Sequence, residues 1–331
     1  MKKLLLIATG GTIASERTEF GLSPRTNPRE ILNHIPQAGG LAEIDVKQVL
    51  NIDSTNIEPE HWLMISNVIE ENYDRYHGFI ITHGTDTLAY TASALSYLIQ
   101  NGNKPIILTG SQKPITDPIT DGKKNLLDSI RYALQEGVRG VYIVFDGKAI
   151  IGTRAKKLRS KSYSAFDSIN YPVAAFIDGD RVLRYVGEGL QDEEVKFYRE
   201  LNPKVFLLKL IPGMEPSIFD YISENYDATV VESYGVGGLP FNDRRNFKEA
   251  LKKVTERGKI IVIATQVMLE GSDAATYEVG YDIINNYNVL QAYDMTVEAA
   301  VTKLMWILGF TKDFKEVKEL FYKNINNDIF V

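Results

Sequence analysis

Five runs of apolar, largely β-branched residues, at 4–8, 46–52, 79–82, 105–109 and 141–145, alternate with helical patterns through the first half of the chain. No other feature constrains the fold as strongly, because strands separated by helical crossovers pair in parallel and need helices on their faces. The alternation predicts an α/β protein whose larger N-terminal domain is a mostly parallel sheet with flanking helices, in flavodoxin-like or Rossmann-like layers. Asp86 is placed to cap a helix carrying Leu88, Ala92, Leu95 and Ile99 on one face. Residues 125–135 repeat the pattern with Leu126, Ile130 and Leu134.

A polar stretch from about 178 to 203, including Glu188, Asp192, Glu193 and Glu194, interrupts the alternation and reads as a linker with a short helix. It divides the chain into an N-terminal α/β domain, 1–190, and a smaller C-terminal α/β domain, 204–331. In the latter, strands are expected at 205–210, 228–232 and 260–264, and helices at 217–225, 247–257 and 297–308.

Bulk properties narrow the function. With 331 residues, 44% of them hydrophobic, the chain can bury a large core. A net charge of −6 leaves no basic footprint for nucleic acid or an anionic membrane surface, so neither is expected as a partner. The absence of cysteine excludes disulfides, thiolate metal sites and a cysteine nucleophile, which leaves an oxygen or an amine. Met1-Lys2-Lys3 before Leu4–Ala8 has the look of a signal peptide, but its apolar run is about half the usual length. It reads as the first strand of a cytoplasmic protein. No run approaches the roughly 18 apolar residues of a membrane span.

Each of the five runs ends in polar or glycine-containing sequence: Thr9-Gly10, Asp53-Ser54, His83-Gly84, Thr109-Gly110-Ser111 and Asp146-Gly147. In open α/β sheets ligands bind at the carboxyl ends of the strands, so these residues mark the edge where a site belongs. Two of the runs lead into threonines beside glycine, Thr12 after Gly10-Gly11 and Thr85 after Gly84, which suggests hydroxyl chemistry. Gly10-Gly11-Thr12 lacks the Gly-Lys-Ser/Thr ending of a phosphate loop and no G-x-G-x-x-G opens the first helix. Its plain alternative is a tight turn with Thr12 incidental. Asp86 either caps a helix, meets a ligand, or does both. His83 is a candidate base, yet the four histidines show neither metal-ligand spacing nor a nucleophile elbow. Lys156 and Lys157 lie in a basic run, Arg154–Lys161, that reads as a solvated loop unless burial or a cationic neighbour makes one amine a base.

With those residues in view, the chain resembles the bacterial-type L-asparaginase family, in particular its cytoplasmic type I branch. The resemblance runs nearly end to end and rests on Ala8-Thr9-Gly10-Gly11-Thr12-Ile13-Ala14-Ser15 and on Ile81-Thr82-His83-Gly84-Thr85-Asp86-Thr87 continuing into Leu88-Ala89-Tyr90-Thr91. Ile52-Asp53-Ser54-Thr55, Leu108-Thr109-Gly110-Ser111-Gln112, Gly152-Thr153-Arg154 followed by Lys157, and Ser233-Tyr234-Gly235-Val236-Gly237 are secondary matches.

The resemblance implies hydrolysis of L-asparagine to L-aspartate and ammonia, with weaker activity on L-glutamine, no metal or organic cofactor, and a homodimer or homotetramer. It implies Thr12 as nucleophile of a β-aspartyl ester, with Thr85, Lys157 and Asp86 as second hydroxyl, base and orienting carboxylate. The gap from Lys157 to Ala165-Phe166 favours Lys157 over Lys156. Asp53, Ser54 and Thr55 are implied for the substrate's α-carboxylate, and Asp86, beside Thr85, for its α-ammonium. Backbone amides near Thr12 and Thr85 are implied as oxyanion donors.

Two departures stand out. Leu22 occupies the place where many relatives carry a loop tyrosine, which favours a closing role for residues 16–27 over activation by a phenol; the plain alternative is a surface loop. Val267 follows Thr265-Gln266 where some relatives have a cysteine of a regulatory site, so allostery is not expected. Competing readings are a non-catalytic amino-acid binder on the same scaffold and an amidotransferase subunit. The latter carries an additional N-terminal domain, whereas Thr12 lies near the start of this sequence.

Overall fold

A computed structural model describes residues 1–19, 21–24, 27–187, 193–276 and 278–330. The chain divides into two compact units, Met1–Arg199 and Glu200–Val331. Among the described residues the main sheet of the first unit has eight strands in the order Arg181–Arg184, Ala175–Asp178, Lys148–Ile151, Gly140–Phe145, Pro105–Thr109, Gly78–Thr82, Lys3–Gly10 and Glu43–Ile52. The last five of these run parallel, and they are the five runs read from the sequence. The continuous hydrophobicity of the inner four reflects burial on both faces, whereas Glu43–Ile52, at the sheet edge, has no fully buried residue. Leu4, Leu6, Ile80 and Ile107 share one core with Leu126 and Ile130 of helix Gly122–Ala133. The alternate residues Leu5, Ile7, Phe79 and Ile81 point the other way and are equally buried.

The remaining three strands are antiparallel and escape sequence reading because they are short. Asp146-Gly147 is the reason the sheet turns back. Both residues have positive φ, 48° and 75°, as a tight two-residue hairpin requires, so this strand end closes a hairpin with Lys148–Ile151.

The polar stretch at 178–203 also differs from expectation. Arg181–Arg184 pairs with Ala175–Asp178, and Lys196–Phe197 pairs with Ile99–Gln100, so its described residues up to Arg199 belong to the first unit and contain strands, not a helix. Glu188 and Asp192 lie outside the described residues.

The second unit holds a four-stranded parallel sheet ordered Val205–Lys209, Ala228–Ser233, Ile260–Thr265 and Val289–Gln291. Its helices include Ile218–Asn225, Phe247–Glu256 and Val297–Ile307, close to their expected bounds. Helix Phe314–Tyr322, amphipathic with Val317 and Phe321 buried on one face, has no counterpart in the sequence reading. Among the described residues no helix is long and apolar enough to cross a membrane.

For function, the decisive feature is the strand order. From Lys3–Gly10 the chain goes first to one side, to Glu43–Ile52, and then to the other, to Gly78–Thr82. The crevice at that reversal is where a doubly wound sheet binds its ligand.

Candidate active site

Three glycines bring the segments around that crevice together. Gly10 and Gly11 have φ of 102° and 76°, open to glycine at little cost. A Cβ on Gly11 would lie 2.3 Å from the Gly84 nitrogen, and one on Gly84 would lie 2.5 Å from Ser54 Oγ. Backbone therefore meets backbone between the first and third parallel strands, and the second contributes Ser54. The Gly11 N–H donates to Ile52 O at 3.0 Å, which fixes the turn leading to Thr12. Thr12 opens a single 3-10 turn, Thr12–Ala14, is partly buried, and its hydroxyl has no protein hydrogen-bond partner among the described residues.

On the neighbouring strand end Thr85 is buried and Asp86 exposed. Lys157 Nζ donates to Thr85 Oγ1 at 2.7 Å and to Asp86 Oδ1 at 2.5 Å. Lys157 is the last residue of strand Ala155–Lys157, paired antiparallel to Phe166–Ser168, so the basic run is a hairpin and not a solvated loop. Lys156 and Lys157, being adjacent in a strand, face opposite ways, and it is Lys157 that reaches Thr85. Its side chain is only 18% exposed, with the ammonium neutralised by Asp86.

Asp86 does not cap the helix that follows. The N-cap of Leu88–Leu98 is Thr87, which makes no side-chain capping bond; Thr87 Oγ1 donates instead to Ser54 O at 2.8 Å. Freed from capping, Asp86 spends one oxygen on Lys157, and the other has no protein partner among the described residues.

Of the trio at 53–55, Ser54 is buried beside Gly84, whereas Asp53 and Thr55 are exposed and bonded to each other. Asp53 Oδ1 accepts from the Thr55 N–H and hydroxyl, both at 2.8 Å, capping the turn that holds Ser54 in place. The structure thus points Ser54 at the crevice and gives its neighbours a supporting part.

His83, a candidate base by sequence, is enclosed. Nδ1 lies 2.7 Å from Gly84 O, which can only accept, so Nδ1 carries the hydrogen. Nε2 then accepts from Thr91 Oγ1 at 3.0 Å, and that hydroxyl receives Trp62 Nε1–H at 3.0 Å. Burial pushes the imidazole from 6.5 down to about 4, partly opposed by the Gly84 carbonyl. A ring without solvent access, both nitrogens committed, is a scaffold element.

Gln112 and Asp121 are the residues that sequence reasoning assigned no part. Gln112 Oε1 lies 3.4 Å from Thr85 Oγ1, and the carboxylate of Asp121 receives the Gln112 N–H. The signal available was the strand end at Thr109-Gly110-Ser111, which shares the edge with Thr12 and Thr85. Leu22 lies in the hairpin formed by Ser15–Thr18 and Gly21–Pro24, opposite Arg17; its side chain is outside the described residues. No group of three or more His, Asp or Glu side chains among the described residues is arranged to hold a metal ion.

Residues 3–186 match the family described as asparaginase, N-terminal, and residues 204–321 match the glutaminase/asparaginase C-terminal domain. The chain belongs to the asparaginase family. It is 42% identical to an L-asparaginase of Thermococcus kodakarensis over 99% of both chains, and the thermostable enzyme of that organism superposes with a TM-score of 0.93. L-asparaginase I of Vibrio cholerae follows with a TM-score of 0.89 at 29% identity, covering 100% of this chain and 99% of that one. A glutamyl-tRNA(Gln) amidotransferase subunit of Pyrococcus abyssi is 30% identical over 99% of this chain and 77% of its own length. The second unit, like the first, therefore has a family counterpart.

Proposed function

We propose that this asparaginase-family protein hydrolyses L-asparagine to L-aspartate and ammonia through an ester on Thr12. The observation that carries the reading is Lys157 Nζ within 2.7 Å of Thr85 Oγ1 and 2.5 Å of Asp86 Oδ1, at the crevice where the Gly11–Gly84 approach also sets Thr12. A ligand-binding protein has no need of an amine held against a second hydroxyl. Thr12 Oγ1 attacks the side-chain amide carbon and gives up its proton. The departing nitrogen takes a proton, relayed through Thr85 and Lys157, and leaves as ammonia. Water then adds to the ester, passes its proton back along the same groups, and releases aspartate with Thr12 restored.

Ser54 is suited to the substrate's α-carboxylate, with Asp53 and Thr55 bracing its turn, and Asp86 and Thr85 lie at the α-amino end. The free Asp86 oxygen accepts a charge-assisted bond from the ammonium. Holding both ends of the amino acid fixes how far the amide reaches. Glutamine, longer by one methylene, misplaces its carbonyl relative to Thr12, and a misplacement of about 1 Å costs up to ~100-fold. Weak glutaminase activity follows.

The test is ammonia release from asparagine and from glutamine at equal concentration, with Thr12→Ala in parallel. Loss of turnover by roughly three orders of magnitude in a folded variant supports the ester route. Retained turnover overturns it, and calorimetric binding of asparagine without product puts the binder reading in its place. The amidotransferase likeness is tested in the same assay, since release from free asparagine by the chain alone needs no tRNA. The same family reading carries a homodimer or homotetramer, measured by light scattering, and a cytoplasmic location.

A further inference from the structure

The Thr85 hydroxyl, which meets Lys157 on one side, has a second polar neighbour that sets where its hydrogen rests. Gln112 Nε2 donates to Ser162 O at 3.1 Å and to Arg159 O at 3.5 Å. Carbonyls only accept, so reversing the amide would set its oxygen against two others, and Oε1 is committed to the Thr85 side. There it lies 3.4 Å from Thr85 Oγ1. Because the Thr85 oxygen already receives a hydrogen from Lys157 at 2.7 Å, its own hydrogen turns to Gln112. At 3.4 Å this bond is long for a hydroxyl donor, whose usual distance is about 2.7–2.8 Å, so it holds a direction without trapping the proton.

The amide is anchored at its backbone too. Asp121 accepts the Gln112 N–H with both oxygens, at 2.9 and 3.0 Å, and the Lys113 N–H at 3.1 Å. Asn125 ties the same loop down, donating to Gly110 O at 3.0 Å and to Asp121 at 3.2 Å. Arg159 and Ser162 lie in the turn between Ala155–Lys157 and Phe166–Ser168, the hairpin that presents Lys157. One side chain thus spans from the hydroxyl to the turn that carries the amine.

We propose that Gln112 is a positioning residue of the site, a strut between the Thr85 hydroxyl and the 158–165 turn that sets the direction of the Thr85 hydrogen and the placing of Lys157 against it. The inference rests on the reading that Thr85 and Lys157 move the proton. It acts chiefly on turnover, through Thr85 and Lys157, and its side chain makes no bond to Ser54 or Asp86.

Steady-state kinetics of the full-length protein on asparagine, across pH, test it with Gln112→Met, Gln112→Glu and Thr85→Val. Gln112→Met keeps the length and removes both ends of the strut; kcat falls about tenfold or more while KM stays within about threefold. Gln112→Glu keeps an acceptor for Thr85 but adds a negative charge near Lys157, which favours the protonated amine, so the acid limb of kcat moves to higher pH. A kcat for Gln112→Met within about twofold of wild type, a change in KM alone, or an unmoved profile for Gln112→Glu overturns the inference. Thr85→Val separates the two levels of argument. If it is inactive while both Gln112 variants behave as wild type, only the strut fails; if it keeps full turnover, the proton-transfer reading fails and the strut with it.

Discussion

Acid should loosen this protein through one histidine. His83 is fully buried, its Nδ1–H given to Gly84 O and its Nε2 taken by Thr91, and a second proton at Nε2 would face a hydroxyl that already receives Trp62. Burial accordingly holds its pKa at about 4, against 6.5 for a free imidazole. The unfolded chain therefore binds its proton near pH 6.5 and the folded chain only near 4, so between these values the unfolded state holds more protons and stability rises with pH. Going down, the contribution is intact above about 6.5 and lost by about 4. At about 1.4 kcal/mol per pKa unit the full loss is roughly 3 kcal/mol, and the step from pH 7 to pH 5 costs about 2 kcal/mol.

Denaturant titrations of wild type and His83→Asn at both pH values measure it. The variant keeps a donor for Gly84 O and cannot titrate, so every other ionisable group cancels in the difference of differences. Wild type should lose about 2 kcal/mol more than the variant. Equal losses refute the argument. So does a His83 proton resonance titrating at 6 or above, which is resolvable because the chain has four histidines.

Three further outcomes follow from the same geometry. In the second unit Lys303 Nζ meets Asp328 at 2.6 Å with neither side chain exposed, and burial lowers the lysine's pKa against the pull of the aspartate. Asp328→Ala leaves a buried cation and should cost about 3–5 kcal/mol. That is a drop of about 10–15 °C in the melting of a unit this size, seen by calorimetry, whereas replacing both residues by Met and Leu should restore most of it. Gly11→Ala puts a methyl against the Gly84 backbone at a φ of 76°; the strain, about 2–4 kcal/mol, should separate Thr12 from Thr85 and remove most ammonia release even where circular dichroism shows a folded chain. Asp86→Asn loses a charge-assisted bond to the substrate ammonium and should raise KM for asparagine about 10- to 100-fold, beyond any change in kcat; an unchanged KM would remove Asp86 from the binding site.

The parallel strands other than Val289–Gln291, and helices such as Leu88–Leu98, Gly122–Ala133 and Phe247–Glu256, were legible in the sequence because each depends on a local period. Runs such as Leu4–Ala8 and Phe79–Thr82 show that both faces of a strand are covered, whatever covers them. The strand ends marked the edge of the candidate site for a similar reason, since glycine and threonine beside a buried strand need backbone approach or a ligand. Polar partners carry no such local mark. Asp86 reads as a cap, a ligand group or both until the hairpin 155–168 brings Lys157 to it across 71 residues, and Gln112 has no assigned part until its amide is found between Thr85 and Ser162. His83 is a candidate base until Gly84 O and Thr91 take both its ring nitrogens, and nothing local marks Lys303 as buried until Asp328 neutralises it in the core. The chain alone determined which residues must leave water and at which edge a site could form. Which hydroxyl faces which amine, and which carboxylate stays open for a ligand, was decided only by the tertiary structure, because hydrogen bonds need a few ångströms of proximity between segments that no sequence period connects.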